Sequence, residues 1–591
     1  MGSDFVGGNM NRPGSFSECI LANAGGFSGQ YCQVMLIQEQ TGYLVGLCVP
    51  DSCEEAEIEI LVANADVFKY KDTSLVPPIP SVLLHNSTQQ IPVSTTKCLK
   101  KNGAPDASAI VCLFVCSFIV ALPLGGTIYV ALIKWKKQKW TLSTVGSKFK
   151  SDPNIYDECF FSGLVYFLDN FLKTFSLQNN FSSLWATKDK GHYSALNGIR
   201  ILSLLWIICG HNIQLSAWEN LVVFVFTDNA KRWKDSVANN PAYIVALSGP
   251  SYLAVDTFLL IGGLLSVKSL FSLIDGADDK MTVQLVGTFL LNRIKRIQPL
   301  HIFMVCLSIG LLSVVPKGSF WSFAEMQIDI CKKYWWANML LINNLFFYPN
   351  SCIPWSWYLA IDVQFYFTTP LLVFLLRRQV QENTCTLIAV ATIFLLIPCI
   401  ISALLTAYFQ LPLYLPSEWI YKAYFEYYYN KPYSRYGPYL IGILLGMFMN
   451  AKKDRLLKKQ WQAAVGWISS LTSMALLVAL AYVLHEVPNY PSAPHAIYQG
   501  LHRTLWAVAV AWIIFACDEG FGALNVWIPF SSISFACFMI HPLLIIIFNG
   551  VQETLFHYTD INFVSIKTVT IHLIPFKYTY HVPNKGVIAN F

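Results

Sequence analysis

Charge is what this chain has least of. Asp, Glu, Lys and Arg make up 13% of its 591 residues, about half the share of a soluble globular protein. That excludes a water-soluble enzyme. Several chemical signatures are missing as well. No phosphate loop of the GxxxxGK[ST] type, no GxSxG elbow, no HExxH and no paired CxxC occurs, so phosphate-loop, serine-hydrolase and zinc chemistry have no support and no metal is expected. The chain opens without the basic n-region, apolar h-region and small-residue cleavage site of a secretory signal. A strong excess of one charge is absent too. The formal net charge is +6, and the basic residues stand beside apolar runs, where they act as orientation signals rather than as a nucleic-acid footprint.

Apolar residues fill the space that charge leaves. They make up 54% of the chain, and its mean hydropathy is +0.46. Runs of about 18 residues or more predict helices that cross a bilayer. Ten spans are expected, near 107–133, 199–217, 251–270, 297–315, 355–376, 386–408, 437–450, 462–484, 500–517 and 533–549. The expected fold is an all-α polytopic membrane protein with a small disulfide-rich extracellular N-terminal domain. Lys134, Lys136, Lys137 and Lys139 follow the first span at once, which puts that end in the cytosol and residues 1–106 outside. Residues 134–195 then form a cytosolic linker, residues 196–550 the main membrane domain, and residues 551–591 an atypical tail. The protein is expected in the plasma membrane or an endomembrane, with the N-terminal domain extracellular or luminal.

The cysteines agree with that orientation. Cys19, Cys32, Cys48, Cys53 and Cys98 precede the first span and suggest disulfides in an oxidising compartment. Five is odd, so a partner cysteine and a signal peptide are expected to lie upstream, in a domain truncated at its N-terminus. Cys331 and Cys352 flank a long polar loop, where a loop-closing disulfide fits. Asn86-Ser87-Thr88 is a glycosylation sequon.

Ionisable groups inside the spans point to a function, because burying them in lipid is costly. Arg200 and His211 share one apolar segment and are eleven residues apart. Helix geometry returns them to nearly one face, roughly 16 Å apart along the axis. A desolvated His211 stays neutral and can take a hydroxyl proton, and Arg200 can hold an anion. The bland alternative makes Arg200 a snorkelling anchor and His211 an interhelical hydrogen-bonder. Asp256 reads either as part of a polar cavity or as an interfacial cap or partner of a basic group. Trp355, Tyr358, Asp362 and Tyr366 fall on one helical face, and a carboxylate there should line a cavity or meet a base. Arg293 and Arg296 open the fourth span from the cytosol, either as a phosphate clamp or as topology signals. His541, before Pro542, is a second intramembrane histidine, with either a structural role or a place in the cavity. Gly262 and Gly263 suit close helix packing.

Taken in order, these stretches resemble the acyltransferase 3 family, and within it the invertebrate nose-resistant-to-fluoxetine branch. The matching pieces are Leu196-Asn-Gly-Ile-Arg200 with His211, Val255-Asp-Thr-Phe258, Arg293-Ile-Lys-Arg-Ile-Gln-Pro299, Trp357-Tyr-Leu-Ala-Ile-Asp-Val-Gln364, Lys431-Pro-Tyr-Ser-Arg-Tyr-Gly-Pro-Tyr-Leu-Ile-Gly442 and Ile533-Ser-Phe-Ala536 with His541-Pro542. Ser15-Phe-Ser-Glu-Cys19 and Cys48-Val-Pro-Asp-Ser-Cys53 resemble that branch's extracellular domain. The resemblance implies transfer of an acyl group from cytosolic acyl-CoA, as donor substrate, to a hydroxyl acceptor at or across the membrane. The acceptor would be a lipid or a small hydrophobic molecule. By position, His211 would be the catalytic histidine with Arg200 as its partner, and Arg293 and Arg296 would meet the CoA side. The family usually continues into a further apolar span, whereas residues 566–591 turn polar and aromatic. Two alternatives stand beside the enzyme: an epithelial lipid or drug transporter that keeps the fold without the chemistry, and a cell-surface binding protein whose outer domain does the work, with the bundle as anchor.

Overall fold

Backbone that enters lipid must bond to itself, and the apolar runs of this chain do so as helices. The structure, a computed structural model, describes residues 12–24, 26–38, 41–63, 69–70, 73–74, 93–99, 105–144, 161–185, 195–222, 252–277, 281–346, 350–382, 384–413, 423–452, 454–485, 493–522 and 528–553. The sequon at Asn86 and residues 554–591 of the tail lie outside the described residues.

The N-terminal unit comprises α1 (Phe16–Leu21), β1 (Asn23–Ala24), β2 (Phe27–Gln38), β3 (Thr41–Pro50), α2 (Glu55–Ala63), β4 (Lys69–Tyr70), β5 (Thr73–Ser74) and β6 (Val93–Leu99). Central β2 pairs antiparallel with β3 on one side and β6 on the other. Strand periodicity divides its side chains between two cores. Cys32 and Val34 pack with Val45, Leu47, Ile58, Val62 and Cys98. Tyr31, on the opposite face, joins Phe16 and Leu99 in the core shared with the membrane helices. Burial pushes the Tyr31 phenol up to about 12, so it stays protonated and donates to the Pro13 carbonyl at 2.5 Å. Disulfides Cys19–Cys48 and Cys32–Cys98 brace the unit. The second joins residues directly opposed across β2 and β6. Cys53 is a free thiol.

The membrane part contains α3 (Ala107–Thr144), α4 (Phe161–Phe175), α5 (Leu177–Trp185), α6 (Ala195–Val222), α7 (Leu253–Asp275), α8 (Val283–Val314), α9 (Ser322–Met339), α10 (Trp357–Glu382), α11 (Thr384–Phe409), α12 (Pro432–Ala451), α13 (Gln460–His485), α14 (Ala493–Asp518) and α15 (Ile528–Gly550). Eight of the described helices are long and apolar enough to cross a membrane: α3, α7, α8, α10, α11, α13, α14 and α15. The fold is therefore all-α and polytopic. Helices α6 and α12 occupy the other two expected spans but fall outside these eight. Arg200, His211 and Asn212 dilute the apolar character of α6, as Ser434, Arg435 and Asn450 dilute that of α12.

Helices α7 and α12 form the centre of the bundle, and small residues set their separation. A Cβ at Gly263 would come within 2.2 Å of the Tyr439 carbonyl oxygen, and one at Gly442 within 2.1 Å of that of Leu260. Helix α3 packs on the flank along α8, where Gly310 accepts the side chain of Leu113. Its opposite side leaves Phe114, Phe118 and Ile128 exposed, as lipid contact allows. The region expected as a linker includes α4 and α5. Helix α4 rests on α3 at Gly126, against the Leu172 carbonyl.

The first part of the polar loop expected between Cys331 and Cys352 is instead helical, since α9 runs on to Met339. Its buried side holds Ala324, Gln327, Ile328, Cys331 and Asn338, a helical repeat too polar to register as an apolar run. Cys331 pairs with Cys352. Gln298 Nε2 of α8 donates to the Met339 carbonyl at 2.7 Å, fixing the far end of α9.

Candidate active site

A cavity of about 310 Å³ lies between α6, α7, α8, α10 and α15, lined by Arg200, Arg293, Arg296, Tyr358, Asp362 and Ser531 among others. Its charge is unbalanced. Arg293 Nη2 meets Asp362 Oδ2 at 2.5 Å, and the Arg293 guanidinium also lies 5.3 Å from the Tyr366 ring. Arg200 and Arg296 make no ion pair among the described residues. Three guanidinium groups therefore share one carboxylate, an arrangement suited to a polyanion. At one end of the cavity Ser531 Oγ of α15 donates to Asn197 Oδ1 of α6 at 2.7 Å, which ties the first turns of these helices together. Asp362 reaches the cavity because Gly262 leaves room for it; a Cβ there would stand 2.8 Å from Asp362 Oδ1.

Apolar residues close the other end. Ile207, Val255, Phe258 and Phe538 line it. The Phe538 ring lies 5.5 Å from Tyr358 and 6.1 Å from His541. One turn beyond Ile207 is His211. Its Nδ1 stands 2.8 Å from His541 Nε2, with the rings stacked at 5.0 Å between centroids. His541 Nδ1 is 2.9 Å from the Cys537 carbonyl oxygen. Thus α6 carries Arg200 in the cavity and His211 past its apolar end, as three turns of helix require. Arg200, Arg293, Arg296, Tyr358 and Asp362 come together in the cavity, whereas His211 and His541 form a pair beside it.

Asp256 is not among the cavity residues. It is fully buried with Arg435, whose Nη1 donates to Asp256 Oδ1 at 2.8 Å and whose Nε donates to the Tyr429 carbonyl at 3.0 Å. Arg503 Nε lies 3.9 Å from Asp256 Oδ2, and its guanidinium packs 4.3 Å from the Tyr428 ring. Sequence reasoning overlooked Arg503 and gave Arg435, although it stands in the piece that starts at Lys431, no role of its own. The signal was available, since each is an intramembrane cation that needs a counter-charge. Asn212, next to His211, was also overlooked; it is 1% exposed and neither of its amide atoms is hydrogen-bonded among the described residues.

The Acyltransferase domain model, Acyl_transf_3, matches residues 193–571. The chain is 25% identical over 569 residues to Nose resistant to fluoxetine protein 6 of Caenorhabditis elegans, covering 90% of this chain and 64% of that protein. It is 22% identical over 335 residues to Regulator of hypoxia-inducible factor 1 of the same organism, covering 53% of this chain and 61% of that protein. The chain thus spans less than two thirds of the length of either relative. No solved structure matches it.

Proposed function

Because the chain belongs to the acyltransferase 3 family, we propose that it moves an acyl group from cytosolic acyl-CoA to a hydroxyl acceptor at or across the membrane. The observation that carries this reading is the cavity in which Arg200, Arg293 and Arg296 share the single carboxylate of Asp362. The phosphates of CoA supply the missing negative charge. Arg200 and Arg296 bind them, and Arg293, held by Asp362, adds a fixed positive field. The thiol-bearing arm of the donor then runs along α6 past Phe538 towards His211.

His211 acts as general base. It takes the proton of the acceptor hydroxyl as that oxygen attacks the thioester carbonyl. The carbon–sulfur bond breaks, the sulfur leaves as thiolate, and the imidazolium returns its proton to give free CoA thiol and the ester. Base assistance of this kind contributes about 10²–10⁴-fold. His541 is fully buried and His211 partly so, which limits water at the pair and favours transfer over hydrolysis.

Binding of CoA itself, without an acyl chain, tests the cavity. Titrating purified protein in nanodiscs should give a Kd that rises about tenfold or more for Arg200→Ala and for Arg296→Ala, since a hydrogen bond to a charged group is worth about 1.5–3 kcal/mol. Affinity unchanged in both variants would place the donor elsewhere.

A further inference from the structure

We infer that His541 is a positioning residue for the proposed transfer: it holds His211 in the Nδ1–H tautomer, leaving Nε2 bare as the basic atom. The inference rests on the acyltransferase reading for its purpose but on hydrogen-bond geometry for its content. A carbonyl oxygen only accepts. The 2.9 Å contact between His541 Nδ1 and the Cys537 carbonyl therefore puts a proton on Nδ1. A second proton on Nε2 would place a cation in the apolar bundle, where His541 is fully buried, at a cost of several kcal/mol. His541 is thus neutral and its Nε2 accepts. Across the 2.8 Å contact with His211 Nδ1, the donor must then be His211. One proton per neutral ring leaves His211 Nε2 with its lone pair free. The order of atoms is Cys537 carbonyl, His541, His211, acceptor hydroxyl, and each link fixes the direction of the next.

Helix α15 builds this relay from local sequence. His541 lies four residues after Cys537, so its ring can reach the carbonyl one turn back. Pro542 follows directly and donates no N–H to Phe538. That leaves the turn beneath the ring with spare acceptor capacity and favours a donating Nδ1. Imidazole in water prefers the opposite tautomer, with the proton on Nε2. Without His541 the basic nitrogen of His211 would face away from the acceptor. The arrangement does for His211 what a carboxylate does for the histidine of a serine protease, with no charge added inside the membrane.

The test reads the tautomer directly and turnover beside it. Histidine-selective 15N labelling of the full chain in nanodiscs, with His211→Gln identifying the resonances, shows whether Nε2 of His211 is bare or protonated. Nε2 should be bare in wild type and in His541→Gln, whose amide oxygen can still accept from Nδ1. It should be protonated in His541→Leu. In acyl-CoA turnover, His541→Leu should lose about 10²–10⁴-fold in kcat with KM for acyl-CoA unchanged, and His541→Gln should recover most of that loss. A protonated Nε2 in wild type, or His211 unchanged in tautomer in His541→Leu, overturns the inference. So does wild-type kcat in His541→Leu. If the tautomer pattern holds but His211→Ala keeps full turnover, the acyltransferase mechanism falls while the relay stands.

Discussion

His211 and Arg200 stand in different surroundings because eleven residues of helix separate them. Arg200 reaches the cavity, and His211 reaches the pair with His541 beyond it. Arg293 has a different status from the other two cavity arginines. Its partner Asp362 is 1% exposed, so removing the arginine leaves a buried carboxylate without compensation. Arg293→Ala should destabilise the protein by about 3–5 kcal/mol. Replacing both partners, Arg293→Met with Asp362→Leu, should restore most of that stability while leaving donor binding weak. Thermal unfolding in detergent separates the two outcomes; a single variant as stable as wild type would mean that the ion pair does not hold the bundle. At this scale the sequence marks out residues that the structure brings to the cavity and to the histidine pair. Arg200, His211, Arg293, Asp362 and His541 stand out as ionisable groups in apolar runs. Their pairings were not legible, because they join helices distant in sequence. Asp362 meets Arg293 across 69 residues and His211 meets His541 across 330. No periodicity within one helix encodes such partners.

Among the helices, α7 lines the cavity on one side and packs closely on α12 on the other. Gly442 permits it, and a side chain there has only backbone to push against. Gly442→Val should therefore separate the two helices and lower the thermal midpoint, whereas the same change at Gly287, where a Cβ meets nothing within 4 Å among the described residues, should leave it unchanged. A second device lies where α12 and α14 end. Lys452 Nζ donates to Asp518 Oδ2 at 2.8 Å and to Glu519 Oε1 at 2.5 Å, and Glu519 Oε2 accepts from the Leu456 and Leu457 amides at 2.8 and 2.9 Å. Burial pushes the Glu519 carboxyl up, but these hydrogen bonds outweigh it and hold the group below its ordinary value. A lowered carboxylate contributes stability above its unfolded value, about 4.3, and loses it as pH falls through the folded value. Wild type should thus lose an increment of thermal stability below about pH 4 that Glu519→Gln lacks. Parallel melting curves for both proteins check this. Helix positions were legible from hydropathy because apolar length is a local property. Helix α9 was not, since its buried face is partly polar and its amphipathic repeat is interrupted by Lys332, Lys333 and two tryptophans.

Over the whole molecule, the N-terminal unit is docked rather than hung from α3. Glu553, just past α15, accepts from the Phe16 amide at 3.0 Å, and Ser319, between α8 and α9, accepts from the same amide at 3.1 Å. Gln33 Nε2 donates to the Ser319 carbonyl. The unit therefore clamps the ends of α8 and α15, the helices that carry Arg293 and His541. The cysteines predicted a braced domain, and two bridges within it bear that out. Its docking could not be read, because the contacts are scattered along the chain: apolar Phe16, Tyr31 and Leu99 share the core of the membrane helices, and Gln33, Ser319 and Glu553 add single polar groups. The family was legible from the order of short motifs, each weak alone, and the match over residues 193–571 agrees with it. What remains decisive is whether His211 acts on a thioester. The most direct measurement is release of free CoA thiol from acyl-CoA by purified protein in nanodiscs, supplied with an acceptor-containing lipid extract, for wild type against His211→Ala. The account predicts release by wild type and a fall of about 10²–10⁴-fold in the variant at unchanged CoA binding. Equal release by two well-folded proteins, or none by either, would contradict it.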